Sequence, residues 1–362
     1  MWIGLVGSEM CIRDRISSHA SFAYKEKSKS FKEIGKELGV RYVIHGSVRK
    51  LGPRMRINAN LVSTENEKSI WSNNFDLKVE EVFDVQDKIA EEMVSTIVGR
   101  VEADALDSIK TKRPDNMDSY DLVLQGLEYA KKGNVMKENT QKAVELFEKA
   151  IEVEPSYARA HAWRACTLSN LADWEESPDP KIFENAFKSI QLALELDSNE
   201  PEVHRIMGAL KLWHERDHEM ARYHFEKARE LCPSDVFIIS RYAIMLIYFA
   251  EFDKALEELE RAKRLDPFSH DLLFGPEAIC HYWMDNPLEA LQTFKKVKVK
   301  KNFLFYIALA NKKSGNNDKA SENLKEAYAL TGMDNDSFVG SQPFKDQELT
   351  SKLKSELSNI TV

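Results

Sequence analysis

A repeated spacing of apolar residues dominates the sequence from its middle onward. A small residue is followed four positions later by a large apolar one and three positions after that by another small one, which places all three on one side of an α-helix. In the clearest copies a proline lies five positions further on and ends the helix, because proline lacks an N–H group and clashes with the preceding turn. The six copies are Ala143, Phe147, Ala150; Ala186, Ile190, Ala193; Ala221, Phe225, Ala228; Ala255, Leu259, Ala262; Ala290, Phe294, Val297; and Ala320, Leu324, Ala327.

The copies recur at the interval of a helical repeat. Their first alanines are separated by 43, 35, 34, 35 and 30 residues, which scatter about the ~34-residue period of a helix-turn-helix unit. A small residue also precedes several stripes by twelve or thirteen positions, as Gly208, Ala243 and Ala308 do. This pattern resembles the tetratricopeptide (TPR) family over residues 117–330. The resemblance implies an all-α solenoid of about six units. Longer turns at 132–140 and 173–180, and Glu277 where a small residue is usual, depart from the family pattern.

The first third of the chain has a different periodicity. Residues 30–39 predict a short helix, and residues 40–50, 55–61 and 69–75 predict strands, because apolar and polar residues alternate there with the period of a half-buried sheet. An apolar stripe over residues 79–101 predicts a closing helix. We therefore expect a small α+β domain over residues 16–109, joined by a linker at 110–116 to the repeats.

Several segments of that domain resemble a known family. Residues 21–25, 39–50, 56–59 and 82–87, together with Trp71, are similar to the TolB-like amino-terminal domain that precedes TPR arrays. The resemblance implies a position behind a class III adenylate/guanylate cyclase domain, a winged-helix regulator or a protein kinase. His45 departs from the pattern, since the family usually has an acidic residue there, and the family's opening strand and helix are absent from the sequence.

Residues 1–15 lack the basic and long apolar regions of a signal peptide. They resemble the in-frame translation of a sequencing adapter, so we expect a non-native leader that packs against nothing and precedes a truncated gene. The alternative is an ordinary disordered amino terminus.

Composition narrows the class of protein. A length of 362 residues favours about two domains, and a net charge of −8 argues against general polyanion binding. Four widely spaced cysteines, Cys11, Cys166, Cys232 and Cys280, suit a reducing compartment, so we expect free thiols, no structural zinc and a cytoplasmic location. The longest apolar stretch, residues 237–250, is core rather than a membrane span, because it has 14 residues and a span needs ~20.

Two local motifs suggest chemistry that we do not expect here. Residues 214–218 match the H-E-x-x-H zinc signature. The repeat register instead puts His214 at the end of one helix and His218 at the start of the next, with Asp217 as an N-cap. Residues 21–56 carry a net charge of +7, and residues 57–110 offset it with −7, so we expect no nucleic-acid binding.

Aromatic and arginine side chains recur on the first helices of the repeats. In TPR register several of them face the concave side, and such a groove has the composition of a peptide-binding surface. Core packing is the alternative for each aromatic residue. The expected contact residues are Arg159, Trp163, Arg205, Trp213, Arg241, Tyr248 and Tyr282.

The sequence contains no nucleophile–base pair, phosphate loop or cyclase metal motif. It therefore predicts a non-enzymatic scaffold that binds a protein or peptide in the groove, uses no cofactor or metal, and ends in a capping helix or tail over residues 331–362. The alternative is the carboxy-terminal regulatory part of a class III cyclase whose catalytic domain is missing here. The sequence predicts no oligomeric state.

Overall fold

The computed structural model describes residues 2–6, 24, 29–38, 40, 42–64, 66–78, 117–133, 136–172, 174, 179–233, 235–265 and 270–361. The chain divides into two compact units. Unit 1 contains the sheet, the helices up to Leu210 and residues 226–233, whereas unit 2 comprises Lys211–Phe225 and Ser234–Val362. The predicted closing helix at 79–101 and the linker at 110–116 lie outside the described residues.

An antiparallel sheet opens unit 1. Its four described strands follow in chain order, β1 Trp2–Val6, β2 Tyr42–Leu51, β3 Arg54–Ser63 and β4 Ser69–Lys78. The tight β2–β3 turn contains Gly52, whose φ of 61° suits a residue without a Cβ. Helix α1, Phe31–Leu38, precedes β2. The three predicted strands and the predicted helix are confirmed.

The sheet buries one face. Ile44, Leu61 and Phe75 lie in a cluster to which Ile57 and Trp71 add partly buried side chains, as alternation along each strand requires. Gly46 permits close pairing with β3, because a Cβ at this position would lie 2.0 Å from the Asn58 carbonyl oxygen.

The first strand differs from our expectation for the leader. β1 pairs with β2 from Trp2 opposite Gly46 to Val6 opposite Tyr42. Our expectation that residues 1–15 pack against nothing is therefore wrong for Trp2–Val6. The physical reason is that β2 has a second edge, whose backbone groups accept any strand of suitable length. A non-native origin of the leader stays a prediction.

Helices form the rest of the described chain, and the predicted repeats fall on six helix pairs. The pairs are α2 Met117–Gly133 with α3 Lys137–Val153; α4 Ala158–Ala172 with α5 Pro180–Leu196; α6 Pro201–Leu210 with α7 His218–Leu231; α8 Val236–Tyr248 with α9 Phe252–Leu265; α10 His270–Trp283 with α11 Pro287–Phe294; and α12 Leu304–Lys313 with α13 Asn317–Thr331. A π-helical segment, Lys211–Glu215, continues α6, and a 3₁₀ turn, Lys300–Phe303, precedes α12. Helices α14 Asn335–Ser341 and α15 Gln347–Ser358 follow the last pair.

The stripe residues are the core of the pairs. Every first alanine is fully buried, and the large residue of each stripe is at most 2% exposed. In unit 1, for example, Ala143, Phe147 and Ala150 pack with Val123 of α2 in one cluster. Gly126 of α2 faces the Phe147 ring so closely that a Cβ there would lie 2.6 Å from Cε1. The small residues therefore set the distance between paired helices, as the sequence pattern predicts.

Two buried histidines of unit 1 hold turns that precede their helices. His161 Nε2 lies 2.8 Å from the Pro155 carbonyl oxygen, and His204 Nε2 lies 2.9 Å from the Ser198 carbonyl oxygen. Because a carbonyl oxygen only accepts, the imidazole nitrogen must donate in both cases. Burial lowers the pKa of His161 and of His204 below the ordinary value of 6.5.

The lowered pKa values predict that unit 1 loses stability in mild acid. The unfolded chain binds protons at a higher pH than the folded chain does, so stability is fully present above about pH 6.5 and falls as the pH drops toward the folded pKa. A His161→Gln/His204→Gln variant keeps an N–H donor at each site but has no proton to gain. Urea unfolding at about pH 7 and about pH 5.5 should show a smaller loss of unfolding free energy in the variant than in the wild type. Equal losses would contradict this role of the histidines.

Candidate functional site

The seven sequence-predicted contact residues lie on first helices of the pairs or on the direct continuation of one. They are Arg159 and Trp163 on α4, Arg205 on α6, Trp213 in the π-helical segment, Arg241 and Tyr248 on α8, and Tyr282 on α10. The first three belong to unit 1 and the other four to unit 2. Each group is described within its own unit.

Arg205 is a structural residue of unit 1. Its side chain is 3% exposed and pairs with Glu202, which precedes it by three positions on α6. The Nε and Nη2 atoms donate to the same Glu202 oxygen at 2.8 and 2.7 Å, and the guanidinium lies 5.1 Å from the centroid of the Trp163 indole. A groove contact requires an exposed side chain, whereas Arg205 is buried. Glu202 and the Trp163 ring cover the Arg205 side chain.

Arg159 is likewise compensated by acidic groups. Although burial alone favours the neutral form, Glu200 and Glu202 raise the pKa of the Arg159 guanidinium. Burial raises the pKa of Glu200, and the attraction of Arg159 offsets only part of that effect. Arg159 thus has acidic partners inside unit 1.

Unit 2 places aromatic rings in two groups near the ends of its helices. The rings of Trp213 and Tyr248 meet edge to face with centroids 5.7 Å apart, and Tyr282 meets both Trp283 and Tyr306 at 5.1 and 5.5 Å. Edge-to-face contacts of this length are favourable because the positive ring edge faces the negative ring face. The first group joins the end of α8 to the π-helical segment, and the second joins the end of α10 to the start of α12. We call the two groups together the aromatic row.

Two phenylalanines from the end of the chain complete that row. Phe344 lies between Tyr248 and Trp283, with centroid distances of 5.2 and 5.3 Å. Phe338 stacks on Phe305 of α12 at 4.0 Å with nearly parallel planes. Both phenylalanines belong to residues 335–358, which comprise α14, α15 and the turn between them. We call this segment the C-terminal hairpin.

The turn of the C-terminal hairpin is held through its backbone. Arg216 Nη2 donates to the Gly340 carbonyl oxygen at 2.7 Å, and His218 Nε2 lies 3.0 Å from the Pro343 carbonyl oxygen. The Lys345 amide donates to the Tyr248 carbonyl oxygen at 2.9 Å. These contacts depend on the path of the backbone rather than on which side chains it carries.

Helix α15 covers the next part of the row. The Tyr282 hydroxyl donates to Glu356, and burial together with this carboxylate raises the pKa of Tyr282. Lys313 Nζ lies 3.4 Å from Glu356 Oε1 and 4.5 Å from the centroid of the Tyr282 ring. Tyr282 is fully buried. Tyr282 therefore contacts the C-terminal hairpin, and the sequence analysis did not predict this contact.

Arg241 is only partly buried, and its guanidinium lies 4.9 Å from the centroid of the Phe237 ring, one helical turn earlier on α8. The sequence reasoning also missed Arg216, Phe249 and Trp283, whose only signal was their position near the ends of first helices.

The H-E-x-x-H motif forms a turn, as the repeat register predicts. His214 is the next-to-last residue of the π-helical segment, Arg216 adopts a φ of 57°, and His218 begins α7. Asp217 caps that helix, since its Oδ1 accepts from the Met220 amide at 3.1 Å. Within the described part of the chain, no cluster of three or more His, Cys, Asp or Glu side chains is arranged to hold a metal ion. None of the described helices combines the length and apolar character that crossing a membrane requires.

Comparison with known proteins gives one curated relative. A protein named "Putative adenylate cyclase 3" from Rhizobium meliloti (strain 1021) is 27% identical over 202 residues, which cover 56% of this chain and 34% of that protein. The chain thus matches about a third of the length of this relative. No protein-family model matches the chain.

Comparison with solved structures gives matches at low sequence identity. The type IV pilus biogenesis factor PilW has 18% identity and a TM-score of 0.45, covering 60% of this chain and 96% of its own. A tetratricopeptide repeat protein from Parabacteroides merdae has 14% identity and a TM-score of 0.43, covering 78% of this chain and 97% of its own.

The burial of Arg205 predicts a large effect of charge reversal. Arg205→Glu would place two carboxylates together in a buried site, which should lower the free energy of unfolding by about 3–5 kcal/mol. Lys188→Glu is the matched control, because Lys188 and Glu184 form an exposed pair on α5 that should contribute about 0–1 kcal/mol. Urea unfolding of both variants tests the contrast, and similar midpoints would show that Arg205 is not a buried ion-pair partner.

Proposed function

We propose that this chain is a non-enzymatic scaffold of the TPR type that binds a protein partner along the first helices of its repeats. The observation that carries the proposal is the aromatic row of unit 2, which holds a stretch of polypeptide through backbone hydrogen bonds and two inserted phenylalanines. Surfaces of this kind bind peptides in general, since main-chain contacts give affinity and side-chain pockets give selectivity. The helix pairs would then stack as a solenoid whose concave side carries the row.

The proposal divides the predicted contact residues by role. Trp213, Tyr248 and Tyr282 are our contact candidates, because they lie in the aromatic row. Arg159, Trp163 and Arg205 would act structurally in unit 1. Glu200 and Glu202 balance the two arginine charges, and the Trp163 indole packs beside Arg205. Arg241 would contribute a partly exposed charge near the row.

The remaining assignments follow from the sequence resemblances. Residues 16–109 would form a TolB-like domain, residues 110–116 a linker and residues 117–330 the TPR array, in a cytoplasmic protein. We expect neither a nucleic-acid partner nor a cofactor.

A second candidate function is supported by the curated relative. The 27% identity to a protein named as an adenylate cyclase favours a chain that regulates a class III cyclase domain from its carboxy-terminal side. The gene sequence immediately upstream of Ile16 tests this candidate. An in-frame cyclase domain there would support it, and an unrelated domain would remove it.

The scaffold proposal predicts that partner capture depends on the first-helix face. Trp213→Ala removes a partly exposed ring of the aromatic row, so it should deplete captured proteins at least several-fold in a quantitative pull-down from a native lysate. The control is Tyr223→Ala, which removes a ring that is 55% exposed on α7, the second helix of its pair. This control should capture the same proteins as the wild type. Loss with Tyr223→Ala alone would assign binding to the second-helix face and contradict the proposal.

A further inference from the structure

The turn of the C-terminal hairpin lies on the aromatic row in the way that a bound peptide would. Residues 340–345 contact Arg216, His218, Tyr248, Phe249 and Trp283, all of which precede the hairpin by more than fifty residues. We infer that this turn is a covalently attached ligand of the protein-binding surface. The external partner is then a peptide that presents proline, an aromatic residue and lysine in that order, and it binds by displacing the hairpin.

The backbone contacts define the path of such a ligand. The carbonyl groups of Gly340 and Pro343 accept from Arg216 and His218, and the Lys345 amide donates to Tyr248. These groups span six residues, which is the length of a short linear motif. An external peptide that follows the same path makes the same three hydrogen bonds whatever its sequence.

The side chains define the chemistry of the ligand. Phe344 is 3% exposed and fills the gap between the Tyr248 and Trp283 rings, so an aromatic residue is the main anchor. Pro343 is buried beside it and restricts the backbone before binding, which reduces the entropy lost on association. Lys345 Nζ lies 5.3 Å from the centroid of the Phe249 ring, a cation–π contact that favours a basic residue after the aromatic one.

The C-terminal hairpin is built as a removable layer rather than as part of the repeat core. Helix α14 has seven residues, and α15 buries Leu353 and Leu357 but leaves most of its other side chains exposed. Gly332, Met333 and Asp334 join it to α13 and are exposed, with Gly332 at a φ of 71°. Each helix of the hairpin buries only two residues, Phe338 and Val339 in α14 and Leu353 and Leu357 in α15. A terminal segment of this kind with an exposed connection opens at lower free energy than the repeat core does.

A tethered ligand also explains how the surface would be regulated. The hairpin acts at a high effective concentration because it is part of the same chain. An external peptide therefore binds with an apparent affinity reduced by the fraction of molecules in which the surface is open. Any change that loosens the hairpin without altering the surface should strengthen binding of the external peptide. This inference rests on the proposed scaffold function.

A labelled copy of the turn tests the inference directly. The probe is a fluorescein-labelled peptide with the sequence of residues 338–347, and its binding to the full chain is measured by fluorescence anisotropy. Phe344→Ala removes the aromatic anchor of the attached ligand, and Leu353→Ala loosens the hairpin at the fully buried Leu353 without changing the turn. Both variants should bind the probe at least tenfold more tightly than the wild type.

Two controls separate displacement from general loosening. Leu330→Ala makes the same chemical change at a side chain that is 50% exposed on α13, so it should bind the probe as the wild type does. A probe that carries alanine in place of its second phenylalanine should bind Phe344→Ala at least tenfold more weakly than the unaltered probe. Circular dichroism melts establish that each variant keeps its repeats folded.

The outcomes are distinct for the two proposals. Equal probe affinity for all four proteins, or no binding to any folded variant, would overturn the inference. If Trp213-dependent capture of native partners persists in that case, the C-terminal hairpin is a fixed cap and the scaffold function stands. If capture is also independent of Trp213, both proposals are wrong.

Discussion

The close approach of paired helices is the constraint on which the repeats depend. An alanine at each end of a stripe allows two helices to approach, and one large side chain between them fills the space, as Ala255, Leu259 and Ala262 do in α9. Protein interiors are packed to nearly crystalline density, so neither the small nor the large position tolerates much change in volume. The stripe face of each pair is thus buried in the contact between its own two helices. The ends of the first helices remain available for other contacts.

Those ends carry the contacts that give the two units different characters. In unit 1 they hold the partly buried Arg159 and the buried Glu200, Glu202 and Arg205, and each arginine has an acidic residue nearby. Burying such charges costs desolvation free energy, so the network adds little net stability. Removing one member, however, leaves a buried charge without its opposite charge and is strongly destabilising. In unit 2 they hold rings instead. Rings present apolar area without fixed charge, and the C-terminal hairpin covers them with two further rings.

The sequence predicted the elements that depend on local spacing, and it missed contacts between distant residues as well as one local ion pair. The helix pairs follow from intervals of three, four and about 34 residues, and the strands follow from alternation, as at Ile57 and Leu61. The burial of Arg205 was missed because the sequence reasoning did not consider that Glu202, three positions earlier on the same helical face, could pair with it in place of solvent. The turn of the C-terminal hairpin lies 94 positions from one of its partners, as the bond between Tyr248 and Gln342 shows. No periodicity in a single sequence reports such a contact. The pairing of Trp2–Val6 was missed because the leader was interpreted by its resemblance rather than by its capacity to form a strand.

Hydrogen–deuterium exchange of the wild-type chain tests most directly the claim that the C-terminal hairpin occupies the aromatic row as a removable layer. Fragments that contain residues 340–346 should exchange more slowly than an unstructured peptide, because the Lys345 amide is bonded to Tyr248, yet faster than fragments from α8 and α9 in the repeat core. Exchange at the unstructured rate would show that the hairpin does not bind the row. Exchange as slow as that of α8 and α9 would show that it is part of the core, and either result would contradict the account.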